Sequence, residues 1–327
     1  MDEKKTEAII IGGAIADVIL QPVDEGAFLT GSYPVDNISL TLGGDALNES
    51  VVLARLGHAP MLVTRLGRDA VAQMIRERCR AEGVEIFAAE DGSAPTGINA
   101  VLVKPDGERS FITNRNGTLR KLAAPDVRPA FETEAFRQAR IVCLASLFVS
   151  PMLGIRETAE LLAQAKGKGK TVCADMTRPK QGETARMLQP VLRSIDYLFG
   201  NLEEVRTLTG AWGPEECAGI LMSEGAASVI IKLGPHGCLF ADTKDTRMIP
   251  AFQARRCIDT TGAGDTFAAG FMAALLEGRS AFESARYASA AASLCVEELG
   301  ATAAKLSSGK VRQRMELPAE QGDSCRA

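Results

Sequence analysis

Two hydrophobic periods alternate along the chain. Short unbroken apolar runs bounded by turn residues recur at 8–13 (AIIIGG), 59–67 (APMLVTRLG), 139–146 (ARIVCLAS), 170–176 (KTVCADM), 195–201 (IDYLFGN) and 227–234 (ASVIIKLG). Their length and β-branched content predict strands covered on both faces. Between them, DALNESVVLARLG, AVAQMIRERCRAEG, GIRETAELLAQAKGKG, GETARMLQPVLRS, LEEVRTLTG and PEECAGILMSEG carry the apolar spacing of amphipathic helices. Several of these end in glycine, which adopts the left-handed conformation that closes a helix. Strands alternating with helices predict an α/β fold built on a mostly parallel sheet.

Two stretches break the alternation, residues 14–42 and 96–118. TGINAVLVKPDGERSFITNRNG reads as two strands around a Pro105-Asp106-Gly107 turn. The earlier stretch reads as a strand, a polar connection and another strand. Together they predict a small sheet inserted in two pieces, which is either a lid over a pocket or an extension of the main sheet's edge. No internal repeat or low-complexity linker is present, so residues 1–320 read as a single domain with a frayed tail at 318–327.

Composition narrows the function classes. The 327 residues suffice for one large core, and the net charge of −4 comes from interspersed signs. Such a surface offers no basic field for a nucleic acid. No apolar run reaches the roughly 18–20 residues that span a bilayer. The start, MDEKKTEAIIIGG, lacks a small-residue cleavage site, and a cytoplasmic protein is expected. Eight cysteines stand singly, mostly in apolar context, and read as reduced core residues. With only His58 and His236, a histidine-rich metal site or a Ser-His-Asp hydrolase is hard to build.

The densest chemistry lies in IDTTGAGDTF, residues 258–267. Gly262, Ala263 and Gly264 precede a long apolar helical pattern, DTFAAGFMAALLEG, so Asp265 falls in its first turn. Exposed amides and the positive dipole end of a helix face outward there, and glycines let a phosphate approach the backbone. Asp265 reads either as a helix cap or as a base accepting the proton of an attacking hydroxyl. GGDALNES (43–50) again sets paired glycines, Gly43 and Gly44, before a helix, with Asp45 and Asn48 near its start. Short polar groups of this kind suit polyol hydroxyls, while an ordinary capped helix accounts for Asp45 but not for Asn48. NLEEV (201–205) spaces Asn201 and Glu204 one helical turn apart, either as a capping box or as a pair holding hydrated Mg²⁺ near phosphates. In IIKLGPHGCLF (230–240), Gly234 and Gly237 bend the chain between two strands, as a plain hairpin or as backbone contact for a nucleotide. No Walker P-loop and no GxGxxG fingerprint of a nicotinamide-dependent oxidoreductase is present.

Taken in order, these segments resemble the ribokinase-like carbohydrate kinases, the PfkB family, over about residues 7–305. GGDALNES looks like that family's first signature and DTTGAGDTFAAGF its second, with Asn201 to Glu204 and KLGPHG between them. With GERSFITNRNG and CADMTRPK, the chain is similar to uncharacterised bacterial sugar-kinase-like members. It is less like ribokinase, whose first signature carries a lysine where Asp45 stands.

The resemblance implies a three-layer α/β/α fold with a small β-sheet lid, and an ATP-dependent, Mg²⁺-assisted kinase of a non-phosphorylated sugar or sugar acid. A nucleoside kinase of the same fold is the alternative. By the same resemblance Asp265 is the base, and Gly262, Ala263 and Gly264 form the anion hole. Asp17, Gly43, Gly44, Asp45 and Asn48 face the sugar. Asn201, Glu204, Lys232, Gly234, Gly237 and Ser289 lie along the nucleotide, with Glu204 reaching Mg²⁺ through water. Asp259 and Thr261 match positions around the monovalent-cation (K⁺) site of several members, while the distal part of that site, LGATAAK, departs from the commoner pattern. Arg115, in TNRNG, is either a carboxylate-binding guanidinium at the pocket's outer end or a solvated strand-end residue. Members often pair lid to lid, which implies a homodimer.

Overall fold

Ile9 and Ile11 of the first strand pack into one hydrophobic core while Ala8 and Ile10 pack into another. That alternation is what a strand covered by helices on both faces requires. The structure, a computed structural model, describes residues 5–302 and 304–317; the tail expected at 318–327 lies outside them.

In chain order the elements begin with β1 (Ala8–Ile11), β2 (Ile15–Gln21), β3 (Asn37–Gly43), α1 (Asp45–Arg55), β4 (Pro60–Gly67), α2 (Ala70–Glu82), β5 (Glu85–Asp91), β6 (Ile98–Val103) and β7 (Arg109–Thr113). Next come α3 (Ala124–Val127), α4 (Glu134–Gln138), β8 (Ile141–Leu147), α5 (Ile155–Gly167), β9 (Thr171–Met176), α6 (Gln189–Leu192), β10 (Tyr197–Asn201), α7 (Leu202–Thr209) and α8 (Pro214–Ser223). They continue with β11 (Ser228–Lys232), β12 (Cys238–Asp242), β13 (Thr246–Ile249), α9 (Ala263–Leu276), α10 (Ala281–Cys295) and α11 (Ser308–Met315).

The main sheet has nine strands in the order β13-β12-β11-β10-β9-β8-β1-β4-β5. The run from β11 to β5 is parallel, and β12 and β13 extend it as an antiparallel edge. Helices α1, α2, α9, α10 and α11 pack on one face, and α3 to α8 on the other. The chain moves outward from β1 to β4 and β5, then returns to β1's other side with β8. Loops diverge at such a reversal, leaving a crevice at the carboxyl ends of the strands.

All six expected strands form. The helix expected over GETARMLQPVLRS shrinks to the single turn α6. Pro190 sits in that first turn, where it lacks a donor and disfavours helical backbone just before it.

The two irregular stretches form a separate four-stranded sheet, β3-β2-β6-β7, with β2 and β6 parallel and the outer pairs antiparallel. Among the described residues none of its strands pairs with the main sheet, so it is not an edge extension. Its register aligns Thr41, Asp17, Asn99 and Thr113 in one row on the face toward the crevice. The neighbouring row, Leu40, Val18, Ala100 and Ile112, turns to the other face, where Ile38, Leu40 and Ile112 are 64%, 50% and 54% exposed.

Candidate active site

Among the described residues, two adjoining chambers lie in the crevice where the sheets face each other. The larger, about 440 Å³, is walled by the carboxyl ends of β9, β10 and β11 and by the start of α9. The smaller, about 290 Å³, lies between the main sheet and the polar face of the small one. Asp45 and Thr177 line both, so the chambers meet there.

The start of α9 follows from its glycines. Gly262 takes a left-handed φ of 75°, and a Cβ there would stand 2.6 Å from Ala301. Only glycine fits this close approach. Ala263, Gly264 and Asp265 line the larger chamber. The backbone N–H groups of Gly264 and Asp265 have no hydrogen-bond partner among the described residues; the first intrahelical bond is from Thr266 to Gly262. Unpaired amides at a helix N-terminus beside a cavity suit an anion such as a phosphate.

Asp265 stands beside this junction. Its Oδ2 accepts a 2.7 Å bond from Asn48 Nδ2. Burial, reinforced by the charge of Asp45, lifts its pKa well above the carboxylate range, against the pull of Asn48 and Lys232. Asn48 is buried and absent from the walls of both chambers, and its Nδ2 is engaged by Asp265. Asp45 accepts a hydrogen bond from the Ser146 hydroxyl, and burial raises its pKa too.

Beneath the glycine loop runs a buried ion pair. Lys232 Nζ contacts Asp175 Oδ1 and Oδ2 at 2.9 and 2.7 Å, with side-chain exposures of only 15% and 6%. A Cβ on Gly264 would lie 3.2 Å from that ammonium, so Lys232 stands directly under the loop. Burial opposes charge on both partners, but contacts this short hold the pair ionised, and Lys232 titrates above its usual range.

Asn201 and Glu204 form a reciprocal capping box: Glu204 N–H donates to Asn201 Oδ1 at 2.9 Å and Asn201 N–H to Glu204 Oε2 at 2.7 Å. Both also line the larger chamber. Burial pushes Glu204 up to about 7, against the pull of Lys232. Among the described residues no three His, Cys, Asp or Glu side chains cluster as a metal cage. A divalent ion here would therefore depend on Glu204 and on phosphate oxygens, as Mg²⁺ sites commonly do. Gly234, Gly237 and Ser289 line the same chamber, and a Cβ on Gly237 would collide with Ile249 O at 2.0 Å.

Around the smaller chamber, Asp17 Oδ1 accepts from Asn99 Nδ2 at 2.9 Å, and it is Asn99 that lines the wall. Gly43 leaves room for the Asp17 carboxylate, whose Oδ2 would stand 2.6 Å from a Cβ there. Gly44, at φ 96°, presses on Gly13 O, which a Cβ would meet at 2.5 Å. Arg115 does not reach either chamber. Asn114 folds its side chain onto Asn116 N–H and its carbonyl onto Gly117 N–H, leaving Arg115 exposed at the tip of the turn. Arg120 and Lys180 supply the positive charge on the chamber wall instead.

Asp259 and Thr261 lie outside both chambers and are engaged by Arg109 of β7, at 2.9 Å to Asp259 Oδ1 and through the Thr261 hydroxyl. Burial works to lift Asp259, but bonds from Thr261 and Gly300 and the charge of Arg109 hold it below the usual range. Sequence reasoning missed Asp175, Asn99, Ser146, Arg109, Arg120 and Lys180. For Asp175, Ser146 and Lys180 a signal existed: each is a polar residue at or just after the end of an apolar strand.

Residues 5–307 match the family described as pfkB family carbohydrate kinase. A ribokinase from Haemophilus influenzae is 30% identical over 89% of this chain and 92% of its own length. A 2-dehydro-3-deoxygluconokinase from Escherichia coli is 28% identical over 79% and 89%. The structure of Arabidopsis thaliana ribokinase complexed with ribose and ATP superposes with a TM-score of 0.81, at 26% identity, covering 96% of this chain and all of that one.

Proposed function

The chain belongs to the pfkB family of carbohydrate kinases, and from that premise we propose that it transfers the γ-phosphoryl group of ATP to a terminal hydroxyl of a non-phosphorylated sugar or sugar acid. The observation that carries this reading is the junction of the two chambers beside Asp265 and two unpaired amides of α9. ATP lies in the larger chamber with its γ-phosphate against Gly262, Ala263 and Gly264. The sugar lies under the small sheet, which serves as a lid, with its CH₂OH toward Asp265.

The hydroxyl oxygen forms a bond to γ-phosphorus as the bond to the β,γ-bridging oxygen breaks. Its proton passes to Asp265, and ADP leaves with the bridging electrons. Asn48 holds Asp265 in place, and a carboxylate titrating above its ordinary range accepts a proton more readily. Lys232 puts a fixed positive charge under the loop where negative charge gathers. Glu204, with the phosphates, would hold Mg²⁺ through water, and the ion would supply further charge neutralisation. The small sheet excludes water from the hydroxyl's attack.

Asn99 and Asp45, with Asp17 behind, accept and donate hydrogen bonds to sugar hydroxyls, and the two carboxylates disfavour a phosphorylated substrate. Arg120 and Lys180 favour a carboxylate at the far end, which makes a sugar acid the preferred class. Potassium has no place in this reading, because Asp259 and Thr261 already hold Arg109. The exposed apolar face of the small sheet, with Ile38, Leu40 and Ile112, supports pairing of two copies through their lids. Buried thiols at Cys79, Cys143, Cys173, Cys217, Cys238 and Cys295 suit the reducing cytoplasm.

An ATP-consumption screen over neutral sugars, sugar acids, sugar phosphates and nucleosides tests the proposal. Turnover confined to nucleosides or sugar phosphates would overturn it.

A further inference from the structure

Along β7, the side chains facing the crevice alternate as Arg109, Phe111 and Thr113. Phe111 and Thr113 line the smaller chamber. Arg109, at the start of the strand, reaches past the chamber to a turn 150 residues further along the chain. There it meets Asp259, whose side chain is 5% exposed.

Asp259 organises everything just ahead of the glycine loop. Its Oδ1 accepts Thr261 N–H at 2.9 Å and the Thr261 hydroxyl at 2.7 Å, and its Oδ2 accepts Gly300 N–H at 2.9 Å. One carboxylate thereby ties the 259–261 turn to residue 300, and the next residue, Ala301, is the one that Gly262 presses against. The position of Gly262, and of the amides that follow it, depends on this clamp. The clamp's charge is balanced from the other sheet, by Arg109.

We infer that Arg109 is a positioning residue for phosphoryl transfer: docking of β7 delivers its guanidinium to Asp259 and Thr261, coupling the small sheet over the substrate chamber to the shape of the anion-binding turn. The inference rests on the reading that the 262–265 turn receives the transferred group. A substrate that holds Phe111 and Thr113 in place also holds Arg109 on the clamp, so the phosphate site is fully shaped only when the sheet is down. Arg109 itself touches neither reactant; it acts through Asp259.

The test compares wild type with Arg109→Ala and Arg109→Lys, each first checked for native folding by circular dichroism. Amide hydrogen exchange of residues 259–264, measured without ligand, is expected to quicken in Arg109→Ala and to lie between the two in Arg109→Lys. With a substrate found in the screen above, kcat of Arg109→Ala is expected to fall by about 10- to 100-fold while the KM for ATP changes far less. Non-denaturing concentrations of guanidinium chloride are expected to restore part of that kcat without speeding wild type. Unchanged exchange at 259–264, or a kcat loss that guanidinium leaves untouched, overturns the inference. If wild type phosphorylates nothing in the screen, the kinase reading fails on its own, and the exchange measurement still decides whether Arg109 shapes the turn.

Discussion

Asn48 Nδ2 donates a hydrogen bond to Asp265 Oδ2 over 2.7 Å, joining residues 217 positions apart. The bond ties the first turns of α1 and α9 at the point where the two chambers meet. Asp265→Asn keeps the shape of this contact but removes the proton acceptor. Turnover is expected to fall on the order of 10²- to 10⁴-fold, with ATP and sugar affinity retained in calorimetric titrations. Turnover near wild type would reduce Asp265 to a helix cap.

Removing the donor acts in another way. Asn48 stabilises the charged form of Asp265, so Asn48→Leu raises the carboxyl's pKa further. A hydrogen bond to a charged group contributes about 1.5–3 kcal/mol, which corresponds to about one to two pH units. Because the base must be ionised, the acidic limb of the kcat–pH profile is expected to move to higher pH by that amount. A limb that stays in place would show that Asn48 acts only on packing.

Glu204 titrates at about 7, through burial. Below that it is protonated and loses its attraction for a hydrated cation; above it the carboxylate is restored. The Mg²⁺ concentration for half-maximal rate is expected to drop as pH rises from about 6 to about 8. Glu204→Gln should raise that concentration and remove its pH dependence, whereas an unchanged Mg²⁺ titration would leave Glu204 as half of a capping box.

The Lys232–Asp175 pair should resist being halved. Lys232→Met leaves Asp175 buried without its counter-charge, a loss of about 3–5 kcal/mol in urea unfolding. Lys232→Met combined with Asp175→Leu is expected to recover much of this stability while remaining inactive. Additive losses in the double variant would mean that the two side chains do not depend on each other.

Substrate choice separates three cations. Arg120→Ala and Lys180→Ala are expected to lower kcat/KM for a sugar acid by about tenfold or more each and to spare the matching neutral sugar. Arg115→Ala, at an exposed turn tip, should leave both values unchanged. An acid-specific loss in Arg115→Ala would reinstate that residue in the chamber.

Much of the framework is legible from local pattern. Runs such as AIIIGG and ASVIIKLG are too short and too apolar to be anything but covered strands, and each forms one. β5 escapes notice because this edge strand, EIFAAED, is only half-buried along most of its length and carries acids at both ends. The glycine loop and Asp265 stand out because glycines ahead of a helical pattern are a local feature. Asp175 and Lys180 carry only the weaker signal of a polar residue near the end of an apolar strand, and Arg120 carries none, since tertiary folding alone brings it to the chamber wall. The Arg109–Asp259 pair spans 150 residues and joins the small sheet to the loop ahead of α9, so nothing in either neighbourhood announces the other. For Arg115 the motif leaves a pocket residue and a solvated turn residue equally open, and the Asn114 turn exposes it to solvent.

Gly44 has one further consequence. It alone separates the last residue of β3 from the first residue of α1, and its backbone lies against Gly13 with no space for a side chain. Any rotation of the small sheet would therefore be transmitted with little slack into the first turn of α1, which carries Asp45 and Asn48. In a closing movement the sheet would act as a lever and Gly44 as its fulcrum. Stiffening that pivot would lock the arm at one angle, so the residue that permits the close approach would also set the freedom of any such movement.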